Sequence, residues 1–405
     1  MGSIDHAQPA VPRWRSRSLA KQETGADQPV SERSPTPARA RWAVGDFSAS
    51  PEDGGWAGFV TDVDGAPVRF EAQAADLSMR PESVLTYFGP QALVAGVDMV
   101  SPAPVNSGWQ RGFTTAVARL APWVDGDESL PAVLAPSDAV GPSGPPAAKG
   151  RGGLCFTAGV DSFWTLLRGG YDPTDLVYVW GYDVSLDDAR RFEDISTSLR
   201  AVAATGGQRL VLVRTDARAH PHNRHLLWGF HHGAALAAVG ILLSEELDWL
   251  VIPPSYPDGG LIPWGSRPDL DPLWSIPGAI DIIHASTPQA RYARIIDIAD
   301  EPLVHRHLRV CWEYLVPGAN CGRCEKCVRT MVMFAGAGTL DRLETFPTAG
   351  DLPAAVLALS PLPSHSVSFW QALVDDRVPP PLRAAVERLV DESATHDSTS
   401  SRRPS

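Results

Sequence analysis

GLCFTAGVDSFWTLL, residues 153 to 167, decides how the chain folds and where its chemistry is expected. A short apolar run, Leu154 to Phe156, ends in Thr157, Ala158 and Gly159, and Val160, Asp161 and Ser162 then open a segment with helical spacing. Strand, small-residue loop and helix in that order form the usual setting of a phosphate-binding loop. Small side chains let backbone N–H groups approach an anion, and the helix start adds unpaired donors and the positive end of its dipole. Thr157 and Ser162 each add a hydroxyl. Asp161 would repel a bare phosphate, so its expected role is to hold Mg²⁺ against phosphate oxygens. The plainer alternative is a strand-to-helix turn with Asp161 or Ser162 as cap. The lysine of a Walker A loop and the G-x-G-x-x-G fingerprint are both missing.

Outward from this stretch, strand-like and helix-like segments alternate. Strands are expected at 154–156, 175–183, 209–215 and 249–255, and helices at 162–168, 187–204 and 228–247. That alternation implies an α/β fold with a doubly wound parallel sheet, in which ligands sit at the carboxyl ends of the strands. Gly181, Tyr182 and Asp183 lie at such an end, that of the second strand. Upstream, WAGFVTDVDGAPVRFEAQ alternates apolar and polar residues around Asp64-Gly65, a hairpin signal. The expected organisation is a disordered arm (1–40), a small α+β domain (41–135), a Pro/Gly/Ser linker (136–152), the main α/β domain (153–340), a helical extension (341–392) and a polar tail (393–405).

Composition limits the function classes. The chain has 405 residues and a net charge of -12, from 35 Lys+Arg against 47 Asp+Glu, which opposes broad electrostatic binding to nucleic acid. No apolar run approaches the length needed to cross a bilayer, and the N-terminus has no signal-peptide core, so a cytoplasmic protein with a small-molecule substrate is expected. The N-terminal segment is open to three roles: forming a homodimer, covering the active site or recruiting a partner.

Four of the five cysteines, Cys311, Cys321, Cys324 and Cys327, fall in CWEYLVPGANCGRCEKC with the spacing C-x₉-C-x₂-C-x₂-C. Two residues between cysteines turn successive thiolates toward one centre, and Gly322 eases the knuckle. Four thiolates make a closed tetrahedral site for structural Zn²⁺, with an iron–sulfur cluster as the rival. Cys155 reads as a small buried core residue.

The segment FTAGVDS resembles the SGGxDS signature of the PP-loop ATP pyrophosphatases, which have a HUP-like fold, cleave ATP between the α and β phosphates and adenylate a substrate. Thr157 stands for the Ser and keeps its hydroxyl; Ala158 stands for the first Gly, which suits the position if positive φ is not required there. A PP-loop followed by this cysteine spacing is similar to the 7-cyano-7-deazaguanine synthases. SYPDGGLIPWGSRP (255–268) is similar to their Y-P-D-x-R substrate loop at Tyr256, Pro257 and Asp258, with Arg267 the nearest following arginine. The resemblance covers roughly 150 to 335. It implies ATP and Mg²⁺ at Thr157–Ser162, the adenine near Gly181, Tyr182 and Asp183, Asp161 and Ser162 in the catalytic role, and conversion of a carboxylate to an amide and then a nitrile with ammonia. Sulfur transfer to a small molecule or tRNA, and a nucleotide sensor without turnover, are the alternatives.

Three further features stay open between chemistry and packing. His231 and His232 precede a small-residue helix and suit either substrate contact or a core position. Arg291 and Arg294 share a helix face and could hold a phosphate or carboxylate. The loop PWGSRPDLDPLW (263–274) reads as a substrate lid or a hydrophobic flap.

Overall fold

The computed structural model describes residues 39–124, 129–136, 148–224, 226–315, 319–348 and 350–400. The expected arm up to residue 38, most of the expected linker (137–147) and the last five residues lie outside the described residues.

In chain order the first elements are β1 (Arg41–Ala43), β2 (Ser48–Asp53), β3 (Trp56–Val63), β4 (Ala66–Gln73), α1 (Pro81–Ala95), β5 (Asp98–Val100), α2 (Ser107–Leu120) and β6 (Val133–Leu134). The central alternation follows as β7 (Gly152–Cys155), α3 (Val160–Arg168), β8 (Asp175–Trp180), α4 (Ala189–Gly206), β9 (Arg209–Thr215), α5 (Trp228–Leu242), β10 (Trp249–Ile252) and β11 (Asp281–His284). Helices complete the chain: α6 (Arg291–Ile298), α7 (Pro302–His307), α8 (Glu325–Gly336), α9 (Leu352–Leu357), α10 (Ser364–Gln371) and α11 (Pro380–Ser400). Residues 393–400, expected as tail, continue α11. No described helix is long and apolar enough to cross a membrane.

An eight-stranded mixed sheet runs β11-β10-β7-β8-β9-β4-β3-β2, and β1, β5 and β6 form a separate three-stranded parallel sheet. The five strands from β11 to β9 are mutually parallel. From β7 the chain steps through β8 to β9 on one side, then returns to place β10 and β11 on the other. β8 is buried along its whole length, as a parallel strand covered on both faces must be. Leu176, Tyr178 and Trp180 face the core shared with α3, α4, α6 and α8, while Val177 and Val179 face the core shared with α1 and α5. Close packing of α5 needs its glycines: a Cβ on Gly240 would stand 2.5 Å from Ile282 Cδ1.

The expected hairpin forms, with Val63 opposite Ala66 and positive φ at both Asp64 (55°) and Gly65 (77°), as a tight type I′ turn requires. It does not close a domain of its own. β4 pairs antiparallel with β9 and extends the main sheet, with Glu71 opposite Arg214 and ion-paired to it. The guanidinium of Arg214 also covers the Trp56 ring at 4.7 Å. Without the hairpin, β9 would present an unpaired edge. Alternation in sequence specifies a strand but says nothing of which edge it joins, so the expected separate 41–135 unit and the strand pairing differ.

Candidate functional site

The β7–α3 connection builds the site from backbone. The Phe156 N–H still donates to Val177 in the sheet, and then Ala158 adopts φ +57° and Gly159 an extended conformation as the N-cap of α3. The Ala158 position therefore does require positive φ, contrary to the condition set from sequence, and alanine carries that strain while packed against the core. Among the described residues, the backbone N–H groups of Thr157, Ala158 and Gly159 find no acceptor. Ser162 Oγ donates back to the Gly159 carbonyl at 3.1 Å, so its hydroxyl closes the helix start.

Asp161, on the first turn of α3, faces α6. Its carboxylate is held by the guanidinium of Arg291 and, at 2.7 Å, by that of Arg294. Arg294 has no solvent exposure and also donates to the Pro254 carbonyl at 2.7 Å. The paired arginines thus hold a carboxylate, and it belongs to the chain itself. Arg291 donates to Asp161 Oδ2 while Oδ1 is ion-paired with Arg294, and the four cysteines are the one group of three or more His/Cys/Asp/Glu side chains of metal-binding geometry among the described residues.

Further cations gather on the same side. Arg309 is 8% exposed; its backbone N–H donates to Ala158 O at 2.9 Å and its guanidinium reaches Thr157 O, Tyr314 Oη and, at 3.4 Å, Asp183. Arg329 pairs with Glu325 at 2.8 Å and lies over the Phe369 ring. Burial, with the like charges of Arg291 and Arg309, lowers Lys326 from the usual lysine value, and Asp183 and Asp161 oppose this only in part. Arg309, Lys326 and Arg329 were not singled out from sequence. The available signal was their setting: Arg309 two residues before Cys311, and Lys326 and Arg329 flanking Cys327.

The cysteine cluster is as compact as its spacing implies. All four thiols are buried, with their sulfurs within 4.8 Å of one another. Sγ–Sγ distances are 3.8 Å for Cys321–Cys327 and 4.0 Å for Cys311–Cys324. A tetrahedron with metal–sulfur bonds of about 2.3 Å has edges of about 3.8 Å, so this set can hold one metal ion such as zinc. Backbone N–H groups of Tyr314 and Cys324 donate to the sulfurs of Cys311 (3.2 Å) and Cys321 (3.3 Å), which favours thiolate.

The other expected site residues separate into two groups. Asp183 joins the cation cluster, and Tyr256 stacks on Phe369 and meets Trp264 edge-on, with Arg291 and Arg329 close enough to pull its phenol down against the burial that raises it. His232 meets Trp264 with ring centroids 5.2 Å apart. The remainder are turned elsewhere. Gly181 serves packing: at φ +108°, a Cβ there would stand 1.9 Å from Thr215 O. Tyr182 is buried on the opposite face of the sheet, its hydroxyl donating to Ala235 O at 3.0 Å. His231 is buried between α1 and α5, with Nε2 2.9 Å from the Tyr87 carbonyl. Arg267 pairs with Asp269 at 2.8 Å and covers the Trp123 ring, and Asp258 is tied through its backbone N–H to Thr287 O. Trp264 of the 263–274 loop instead touches the site, and its Nε1 is buried with no partner.

Beside Ala158 lies a cavity of about 140 Å³ lined by Ile195, Leu199, His307, Arg309 and Tyr314 among others. It is smaller than the roughly 300 to 1,000 Å³ of a drug-sized ligand site. No family model, curated protein or solved structure matches the chain.

Proposed function

We propose that the chain is an ATP-dependent ligase of PP-loop type, which adenylates a small carboxylate-bearing molecule and passes it to ammonia. The observation that carries this reading is the loop Thr157–Gly159, whose amides find no acceptor among the described residues, beside Arg309 at the strand where the sheet order reverses. The order β9-β8-β7-β10-β11 within the mixed sheet supports a doubly wound reading, and ligands of doubly wound sheets bind at the reversal, beyond the carboxyl ends of the strands. The same reading assigns zinc to the four cysteines.

The chain's own residues would divide the work. Loop amides and cations take the negative charge that builds on the departing pyrophosphate. The substrate carboxylate attacks the α-phosphorus, the bond to the β-phosphate oxygen breaks, and pyrophosphate leaves with that electron pair. Ammonia then displaces AMP from the acyl carbon and releases a proton, giving an amide. Asp161 orients Arg291 and Arg294 in this scheme. Mg²⁺ would enter on the nucleotide's own phosphates, and no step is assigned to it. Sulfur transfer is disfavoured by Cys155, the one cysteine left for a persulfide, because burial pushes its thiol far above the ordinary range.

The test is the product formed from ATP by the full chain with 7-carboxy-7-deazaguanine and ammonium. AMP and pyrophosphate that require the carboxylate and are lost in Asp161→Asn support the reading. AMP formed only with other carboxylates moves the substrate. ATP binding without AMP under any condition replaces the ligase with a sensor.

A further inference from the structure

Beside the carboxyl end of β11 a buried carboxylate lacks an arginine or lysine partner. The buried Asp175 and Glu71 are each held by arginine, Asp175 by Arg151 and Arg209 and Glu71 by Arg214. Asp271 has no solvent exposure and pairs with no lysine or arginine side chain among the described residues. Its Oδ2 lies 2.7 Å from His284 Nδ1 and accepts from Ser266 Oγ at 2.7 Å, while the Arg267 backbone N–H reaches Oδ1 from 3.4 Å. A carboxylate accepts, so Nδ1 donates and the lone pair of the imidazole sits on Nε2. That Nε2 has no partner among the described residues, although His284 is only 6% exposed. Ser266 donates to the carboxylate and stands 3.4 Å from Nδ1, the nitrogen already engaged, so the three do not form a nucleophile triad. They form an aspartate–histidine dyad with an unused base.

The dyad adjoins the site. His284 closes β11 level with Ile252 of β10, one residue beyond the pair of Val251 and Leu154. Its Cα is therefore two strand spacings, about 10 Å, from the end of β7, where the Thr157–Gly159 loop begins. Asp271 packs against the start of α5, where a Cβ on Gly233 would stand 2.9 Å from its Oδ1. The adjoining His232 meets Trp264, and Trp264 meets Tyr256 of the expected substrate loop.

We propose that His284 Nε2 accepts the proton released in the amide-forming step, with Asp271 as the residue that positions the imidazole and balances its charge. This rests on the ligase reading above. As nitrogen bonds to the acyl carbon, the carbon–oxygen bond to AMP breaks and AMP leaves with that electron pair. The surplus proton on nitrogen passes to Nε2. The imidazolium then supplies the counter-ion that Asp271 lacks, and it returns the proton to water after the amide departs.

The experiment uses the full, metal-loaded chain with ATP, Mg²⁺, 7-carboxy-7-deazaguanine and ammonium, and it reads two steps separately in wild type and His284→Gln. Exchange of labelled pyrophosphate into ATP reports adenylation, and the rate of amide appearance reports the step that follows. A positioned base contributes about 10²-fold or more, so His284→Gln should lose about 100-fold in amide formation while exchange stays within about threefold. Amide formation at the wild-type rate overturns the assignment, as does an equal loss of both steps. Retained metal and an unchanged melting temperature show that the variant is folded; if it is not, Asp271→Asn takes its place and should show the same split. Failure of both variants to fold makes the dyad structural and also overturns the assignment. Wild type that exchanges pyrophosphate but forms no amide removes the role of His284 and leaves adenylation standing. If wild type does neither, both readings fall.

Discussion

Asp161, whose side chain keeps 21% of its exposure, is the counter-ion of Arg294, whose side chain keeps none; the two meet at 2.7 Å. The asymmetry makes the carboxylate a structural partner as well as a site residue. Removing it strands a buried guanidinium, which costs more than the pair itself contributes. Asp161→Ala should therefore lower the stability of the fold by about 3 kcal/mol. Asp161→Asn keeps an acceptor oxygen and should lose markedly less. Urea unfolding of both variants decides this, and equal midpoints for Ala and wild type would show that Arg294 finds other partners. It also follows that Asp161→Asn is the sound control for activity.

Four buried thiols this close repel as thiolates unless a cation sits among them. Purified chain should carry about one zinc per molecule by elemental analysis, and its removal by a chelator should loosen α8 and the residues around Arg309 and Cys311. Hydrogen exchange before and after chelation reads the effect. Iron in place of zinc would refute the assignment of the ion.

Burial pulls His231 down to about 3, with the hydrogen bond to Tyr87 opposing this only in part. The unfolded side chain titrates near about 6.5, so between the two values the unfolded state binds the extra proton. The contribution of His231 is complete above about pH 6.5 and is lost progressively as pH falls toward 3. His231→Gln should flatten the stability–pH curve across that window. An unchanged slope would mean that other groups set the acid limb.

Ala158 sits at φ +57°, a conformation that glycine adopts freely and alanine does not. Ala158→Gly should be neutral or stabilising by up to about 1 kcal/mol, since relief of strain offsets the added freedom of the unfolded chain. Ala158→Val should be clearly destabilising, because a branched side chain is strained at that φ and Ala158 is only 2% exposed. Thermal melts of the pair measure the two effects, and equal melting temperatures for Ala158→Val and wild type would refute the strain argument.

Local signals carried much of this protein. The strand–loop–helix of 153–167, the two-residue turn at Asp64-Gly65 and the four-cysteine set each depend on neighbours within a few residues, where period, turn chemistry and ligand spacing act directly. Tertiary structure decided the rest. Asp161 meets arginines 130 and 133 residues downstream, and β4 joins β9 across a separation that alternation cannot encode. Neighbouring side chains after β8 part company, Tyr182 into the α5 face and Asp183 toward Arg309, because the chain leaves the strand through Gly181. Long-range pairing and the facing of a side chain depend on sheet register and helix docking, which emerge only when the whole core is packed.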